Sequence, residues 1–224
     1  MFSHDNSHKY TSFINRLGAL MRKFWLAMVM PAVLYIPMGM ADPVISLQAG
    51  KNYRVTDEQA SLSPKVLEFF SYGCPHCRQL DPSITQWAAK AGKDVVLTRV
   101  PVTFGSKQWE GYAKAFYVAE TLDLQVIANH ALFELARRGG KLETDEAIAD
   151  FFVGLCVERE VAEQKIHSFT VKSWMVLGDK LAQRYNIQVV PSFVVNNKYF
   201  TDSSMVGAPE AVPAVLTQLA KFHN

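Results

Sequence analysis

Cysteine is scarce in this chain, which has only three in 224 residues. A small secreted scaffold held together by disulfide bonds needs a far denser set, so that class is excluded and each cysteine has to be interpreted from its own surroundings. The chain also lacks internal repeats and low-complexity stretches. Its composition, 49% hydrophobic and 20% charged, is that of an ordinary globular protein.

An excess of charge is missing from most of the chain. The formal net charge is +2, but residues 1–41 hold four basic side chains and one acidic side chain. The remaining residues carry 19 basic and 20 acidic groups, a net charge of about −1. This balance lacks the basic surface that nucleic-acid binding needs, so nucleic acid is not expected as a partner.

The first 41 residues have the pattern of an export signal. Basic side chains precede an apolar run from Phe24 to Ala41, and the run closes on the small-residue pattern Gly39-Met40-Ala41. This predicts a secretory signal peptide over residues 1–41. Met21 is an alternative start, because a segment that begins there would be a signal of ordinary size.

An uncleaved membrane anchor is the other interpretation of the same run. Its 18 residues lie near the lower limit for a helix that spans a bilayer. Pro31 and Pro37 argue against a stable span. Both interpretations place the folded part outside the cytoplasm, in an oxidising compartment such as the bacterial periplasm.

A strand, a helix and a second strand follow one another within residues 42–106. The apolar run Val66–Tyr72 predicts a buried strand. A helix then begins at Cys74-Pro75-His76-Cys77 and ends near Gly92, and Val95–Val102 predicts the next strand. Two strands around one helix predict a βαβ unit with a parallel pair, so the cysteine motif lies at a strand-to-helix junction.

A helical block and a second strand-rich part complete the chain. Residues 107–184 show helical periodicity throughout and predict three or four helices. Residues 185–224 predict two strands joined by a hairpin turn at Asn196-Asn197 and then a final helix, namely Val189–Val195, Lys198–Phe200 and Pro209–Phe222. The fold class is therefore α/β, with the helical block inserted into one domain.

The pair Cys74 and Cys77 has the spacing of a redox-active dithiol. At a helix N-terminus the unpaired N–H groups and the helix dipole favour a thiolate at the first cysteine. Disulfide exchange needs such a sulfur to react and a second, more enclosed one to resolve the mixed disulfide. We therefore expect Cys74 to be exposed with a low pKa, Cys77 to be shielded, and His76 to add positive charge near Cys74.

Two other interpretations of the CxxC motif stay open at this point. It could be half of a zinc site, although no second CxxC or CxxH partner exists, and no metal is expected. It could also be a structural disulfide, although bridging so short a loop restrains the unfolded chain little. The third cysteine, Cys156, lies beside Phe152 and Leu155 in the helical pattern, which predicts a small buried side chain.

Several motifs together resemble the DsbA family of periplasmic disulfide oxidases. They are the CPHC motif, Glu68 six residues before its first cysteine, Val190-Pro191 far downstream and Val171-Lys172-Ser173 near the end of the helical block. The resemblance covers nearly all of the chain after residue 41. It implies a thioredoxin fold with an inserted all-helical domain, which agrees with the order of elements read from the periodicity.

The resemblance also implies roles for individual residues. Cys74 would be the sulfur that links to substrate, Cys77 its buried partner and His76 the residue that tunes the potential. Pro191 would follow a cis peptide bond, with the Val190 backbone beside the cysteines to pair with a bound client peptide.

The same resemblance gives a role to the acidic residue in the first strand. Glu68 would relay a proton to Cys77. Arg99 stands where this family tends to have a lysine and could pair with Glu68, but a guanidinium does not deprotonate, so it would not itself transfer the proton.

The function implied is thiol:disulfide oxidation without a cofactor of its own. The Cys74–Cys77 disulfide would be donated to reduced, exported proteins, and a quinone-linked membrane oxidase similar to DsbB would restore it. A disulfide isomerase or reductase on the same fold is one alternative. A non-catalytic periplasmic chaperone or binding module with a structural disulfide is another.

Overall fold

Five strands form one mixed sheet in the computed structural model of the chain, which describes residues 46–222. The predicted signal peptide lies outside these residues and stays a prediction. The strands are β1 (Arg54–Val55), β2 (Lys65–Phe70), β3 (Val96–Pro101), β4 (Ser192–Val195) and β5 (Tyr199–Asp202). Their order across the sheet is β1-β5-β4-β2-β3, and β2 and β3 are parallel while the other neighbours are antiparallel.

The predicted βαβ unit is confirmed, with small shifts in its ends. Helix α1 (Pro75–Ala91) connects β2 to β3 and begins directly after Cys74, its N-cap residue. The helix ends at Gly92, whose φ of 57° lies in a region that glycine adopts without steric cost. Strand β2 ends at Phe70, earlier than predicted, because the chain turns after it to enter the helix.

Five helices occupy the helical block, rather than the three or four predicted. They are α2 (Lys107–Thr121), α3 (Gln125–Arg137), α4 (Asp145–Val153), α5 (Arg159–Ile166) and α6 (Phe169–Arg184). The N-cap side chains of Ser106, Thr144 and Ser168 accept hydrogen bonds from the first turns of α2, α4 and α6. Helices α4 and α5 have only nine and eight residues, too few for their periodicity to separate them in the sequence.

The prediction for Cys156 is wrong, because its side chain is exposed. Helix α4 ends at Val153, and Cys156 lies in the turn that follows, with φ of 64°. The Val157 N–H then donates to the carbonyl of Phe152 and closes the turn. The helical period therefore stops before Cys156. The apolar helix face on which the sequence pattern places Cys156 ends with the helix at Val153.

The C-terminal part contains the predicted hairpin. Asn196 and Asn197 have φ values of 52° and 61°, the left-handed pair that a two-residue turn between antiparallel strands needs. The predicted helix Pro209–Phe222 is a 3₁₀ turn (Pro209–Ala211) followed by a helix, and a short helix that was not predicted comes before it; in chain order the two helices are α7 (Ser203–Val206) and α8 (Val212–Ala220). The two-residue strand β1 had no counterpart in the prediction.

Alternate residues of β2 face different cores. Val66 packs with α1 and α8 on one face of the sheet, and Leu67 and Phe69 pack with the end of α6 on the other. Phe70 joins the core of the helical block, which also includes Cys74 and Cys77. The block therefore packs directly on the cysteine pair. No helix within residues 46–222 has the length and apolar character to cross a membrane.

Candidate active site

The two cysteines share a hydrogen-bonded turn at the start of α1. Cys74 has an extended backbone (φ −93°, ψ 116°), and its Sγ accepts a hydrogen bond from the Cys77 N–H at 3.4 Å. The Cys74 N–H donates to the carbonyl of Ser71 at 3.0 Å, which ties the turn to the end of the strand. Both sulfurs are free thiols in the structure, so it represents the reduced pair.

Cys74 is more enclosed than the sequence suggests. Cys77 is 1% exposed, as expected for a shielded residue, but Cys74 is only 7% exposed, so the expectation that it is exposed is wrong. The reason is tertiary cover, since the Cys74 Sγ lies 3.5 Å from the carbonyl oxygen of Val190 in a loop that the sequence places far away.

The surroundings of the two thiols shift their pKa values in opposite directions. The pKa of Cys74 is lowered to about 6, and the largest cause is the hydrogen bond from the Cys77 thiol to the Cys74 sulfur. Burial acts in the opposite direction and raises this pKa. The backbone N–H groups of Cys77 and His76 and the charge of His76 lower it further. Burial and the neighbouring Cys74 raise the pKa of Cys77. At neutral pH the reduced pair therefore has one thiolate, on Cys74.

Alkylation of the reduced protein should label Cys74 first at a pH near 6, since about half of that thiol is ionised there. Mass spectrometry of digested peptides identifies the labelled residue. The exposed Cys156 could react as well, so the measurement belongs in a Cys156→Ser background. Labelling of Cys77 before Cys74, or no reaction until the pH of an ordinary thiol, would contradict this prediction.

His76 is exposed on the first turn of α1, and its charge is the last among the causes that lower the pKa of Cys74. We expect His76→Ala to raise that pKa and to make the disulfide less oxidising, by about 30 mV for each tenfold change in the exchange constant. Equilibration with glutathione measures the change. Gln79→Ala, on the exposed side of the next turn, is the matched control. An equal potential in the His76 variant and the parent would exclude the effect.

The predicted partner of Glu68 is confirmed. Glu68 is 2% exposed and lies opposite Arg99 in the register of β2 and β3. Arg99 Nε lies 2.9 Å from Glu68 Oε2, and Arg99 Nη2 lies 2.9 Å from Asp81 Oδ1 on α1. Burial raises the pKa of Glu68, and the Arg99 charge opposes that rise. Asp81 and Arg99 thus place one negative and one positive charge beside a buried carboxyl group.

The close contact between Glu68 and Arg99 leaves hydrogen-bonding capacity unused. Among the described residues, neither Glu68 Oε2 nor Arg99 Nε has a hydrogen-bond partner of acceptable geometry. The Glu68 charge is also one of the causes that raise the pKa of Cys77. Glu68 Oε2 is therefore a buried oxygen that can accept a proton and whose charge acts on the second cysteine.

The peptide bond between Val190 and Pro191 is cis, as predicted. The Val190 carbonyl accepts from the Cys74 thiol, and the Ser192 hydroxyl donates to the Val189 carbonyl at 2.6 Å and holds the loop. Val189 is 52% exposed next to this loop. The backbone at Val190 thus lies beside the Cys74 sulfur, and the residue before it has an exposed apolar side chain.

Gly73 is required by the close approach of α2. A Cβ atom at this position would lie 2.5 Å from the indole Nε1 of Trp109. The helical pattern of the sequence predicts Trp109 as a core residue, and it is partly buried between two of the cores. Trp109 therefore packs on the backbone just before Cys74 and covers it from the side of the helical block.

A metal site finds no support in the part of the chain that the structure describes. No group of three or more His, Cys, Asp or Glu side chains there is placed to hold a metal ion. The groups that the described residues bring together are two thiols with very different pKa values, a buried carboxyl group and the backbone of a neighbouring loop.

Three comparisons connect this geometry with known proteins. A protein-family model described as thioredoxin matches residues 57–212. The thiol:disulfide interchange protein DsbA of Azotobacter vinelandii is 40% identical over 147 residues, which are 65% of this chain and 68% of that protein. DsbA of Pseudomonas aeruginosa strain PAO1 is 35% identical over 177 residues, 77% of this chain and 83% of that protein. A crystal structure of P. aeruginosa DsbA superimposes with a TM-score of 0.73 at 33% identity and covers 78% of this chain and 93% of that chain.

Proposed function

Because the chain belongs to the DsbA family of thiol:disulfide interchange proteins, we propose that it oxidises pairs of cysteines in exported proteins by donating a disulfide formed between Cys74 and Cys77. The observation that carries the proposal is the position of Cys74 as the N-cap residue of a helix, where its sulfur accepts a hydrogen bond from the N–H of the shielded Cys77 at 3.4 Å. A stabilised Cys74 thiolate stabilises the reduced pair, which makes the disulfide a strong oxidant.

Client oxidation takes two exchange steps. A client thiolate attacks the Cys74 sulfur, the Cys74–Cys77 bond breaks, and Cys77 leaves with the electron pair and takes up a proton. A second client thiolate then attacks the client sulfur of the mixed disulfide, and Cys74 leaves as a thiolate. Its low pKa makes Cys74 a good leaving group, so the second step is fast and the client departs oxidised.

The loop at Val190 and Pro191 is suited to hold the client during these steps. The Val190 carbonyl lies 3.5 Å from the Cys74 sulfur, so an extended peptide whose cysteine reaches that sulfur would pass beside this backbone. Strand-like pairing with the loop would recognise the main chain of the client and tolerate many side chains. A broad range of clients follows from that mode of binding.

Restoring the disulfide requires the proton of Cys77 to leave. The raised pKa of this buried thiol prevents direct loss to solvent near neutral pH, and Glu68 is the buried carboxyl group, ion-paired with Arg99, that can accept the proton. The oxidant would be a quinone-linked membrane oxidase similar to DsbB, and the compartment would be the periplasm. Both belong to the proposal on the strength of the family and the predicted signal peptide.

The test is oxidation of a reduced, unfolded client that has two cysteines, with the oxidised protein as the only oxidant. We expect stoichiometric formation of the client disulfide within seconds to minutes and an equilibrium with glutathione that favours the reduced Cys74–Cys77 pair. A reducing potential with little net oxidation would indicate an isomerase or reductase. Client thiols that stay untouched would indicate a non-catalytic binding module and overturn the proposal.

A further inference from the structure

An amide of the helical block lies inside the charge network beneath the cysteines. Asn129 on α3 is half-buried, and its Nδ2 donates to both carboxylate oxygens of Asp81, each at 3.2 Å. Its Oδ1 accepts from the Tyr72 hydroxyl at 3.0 Å and from Arg99 Nη1 at 3.3 Å. One side chain of the helical block thus contacts α1, β3 and the turn that follows β2 at the same time.

Several acceptors contact the Arg99 guanidinium, so its position depends on which other hydrogen bonds each of these acceptors has. Its guanidinium contacts Glu68, Asp81, Asn129 and the Thr85 hydroxyl. Two amide donor contacts from Asn129 partly satisfy the Asp81 carboxylate. If they were lost, Asp81 would depend more on Arg99, and the guanidinium would shift toward Asp81 and away from Glu68.

We propose that Asn129 is a positioning residue of the redox centre: through Asp81 and Arg99 it holds the guanidinium on Glu68 and so keeps this carboxylate ready to take the proton of Cys77. The inference rests on the proposed function and deepens it, because it gives the helical block a part in restoring the disulfide. The charged and titratable groups around Glu68 that enter the argument are Tyr72, Cys77, Asp81, Arg99 and, near Tyr72, Glu120.

The step at which Asn129 acts is the closure of the disulfide. The Cys74 thiolate first attacks one sulfur of a disulfide oxidant, the S–S bond of the oxidant breaks, and its other half leaves as a thiolate, so that a mixed disulfide stays on Cys74. Cys77 then gives its proton to the Glu68 carboxylate, its sulfur attacks the Cys74 sulfur, and the second half of the oxidant leaves as a thiolate with the electron pair. Glu68 finally returns the proton to solvent. If Glu68 lost its contact with Arg99, it would already be protonated in a larger fraction of the molecules. In those molecules it could not accept the proton of Cys77.

Oxidised glutathione is the probe for this step. Reduced protein is mixed with excess oxidised glutathione, the reaction is quenched with acid at successive times, and mass spectrometry follows the species with glutathione on Cys74. All variants have Cys156→Ser, which removes a second reactive thiol. We expect Asn129→Ala to lengthen the lifetime of this intermediate by about 3- to 30-fold, the range usual for one coupled pair of residues.

A double-mutant cycle with Glu68→Gln separates this role from a merely structural one. If Asn129 acts through Glu68, Asn129→Ala has no further effect on the lifetime in the Glu68→Gln background, because no carboxylate is left to control. Alanine favours the helix, and His130→Ala, the exposed neighbour on α3, is the control that should match the parent. Thermal unfolding confirms that each variant is folded.

The outcomes separate the inference from the function on which it rests. A lifetime that lengthens when Glu68 is present and stays unchanged in the Glu68→Gln background supports the role of Asn129. An equal lengthening in both backgrounds, or no lengthening in either, overturns it while the oxidase activity of the parent stands. A parent protein that does not oxidise the two-cysteine client overturns the proposed function and the inference together.

Discussion

A Cys77→Ser variant is expected to keep a substrate bound covalently on Cys74. When the client peptide has a single cysteine and Cys156→Ser removes the exposed third thiol, only Cys77 can attack the mixed disulfide from within the protein. The attacking group is adjacent on the same turn of α1, and intramolecular attack of this kind exceeds attack by an outside thiol by a large factor. We expect the mixed disulfide of the variant to persist at least about 100-fold longer than that of the parent.

The measurement starts from Cys77→Ser protein in which Cys74 has been activated as a mixed disulfide with thionitrobenzoate, and from parent protein in its oxidised form, because Cys77 of the parent would itself displace thionitrobenzoate. The same peptide is added to both, and non-reducing mass spectrometry then follows the peptide on Cys74. A Cys77→Ser complex that resolves as fast as the parent complex would mean that Cys77 is not the resolving thiol.

The pair Cys77→Ser and Cys77→Ala separates two effects of the same residue. The hydrogen bond from the Cys77 thiol is the largest cause of the low pKa of Cys74, and a serine hydroxyl can still donate it while alanine cannot. The pKa of Cys74 should therefore rise well above about 6 in Cys77→Ala and less in Cys77→Ser. The ultraviolet absorbance of the thiolate, followed during a pH titration, measures the pKa of Cys74 in each of the two variants.

The chemistry of the site could be predicted where it depends on local sequence. The CPHC motif at the start of a helix is enough to predict one acidic and one shielded thiol, because helix N-termini stabilise anions whatever the rest of the fold. The Glu68–Arg99 pair is implied by the resemblance to the DsbA family, and the register of the two parallel strands places the two residues opposite each other. The hairpin at Asn196-Asn197 is equally local.

Features formed by distant parts of the chain could not be predicted in the same way. Cys74 contacts the Val190 loop, which lies 116 residues away along the chain and leaves no signal in the sequence around the motif. Asn129 has no motif of its own, because its partners are 30 to 57 residues away along the chain. The error at Cys156 had a local warning in Gly154, which stops the helical pattern two residues earlier.

Removal of the positive charge beside Glu68 should produce the largest change in stability. Arg99→Met keeps a long apolar stem but leaves the Glu68 carboxylate, which is 2% exposed, without its cation. Breaking one partner of a buried ion pair typically costs about 3–5 kcal/mol of unfolding free energy. Protonation of Glu68 limits that cost, since a neutral carboxyl group is easier to bury than a charged one.

The pH dependence of this destabilisation has a definite sign. Burial already raises the folded-state pKa of Glu68 above its ordinary value of 4.5, and Arg99 opposes the rise, so Arg99→Met raises it further. A carboxyl group with a raised folded-state pKa binds more protons when the protein is folded, and stability falls as the pH increases above the unfolded-state value. The variant should therefore be close to the parent near pH 4 and progressively less stable toward pH 7, until Glu68 is ionised in the folded state.

Urea unfolding of the reduced protein between pH 4 and pH 8 measures this difference directly. In Arg99→Met with Glu68→Gln, no carboxylate is left at position 68 and only the partly exposed Asp81 lacks its cation, so much of the lost stability should return and its dependence on pH should flatten. Arg138→Met removes a guanidinium that is 73% exposed, and it should leave the unfolding midpoint nearly unchanged. Equal destabilisation by Arg99→Met at pH 4 and pH 7 would contradict this prediction. The loss of stability would then come from packing, and not from the loss of a cation beside the ionised Glu68 carboxylate.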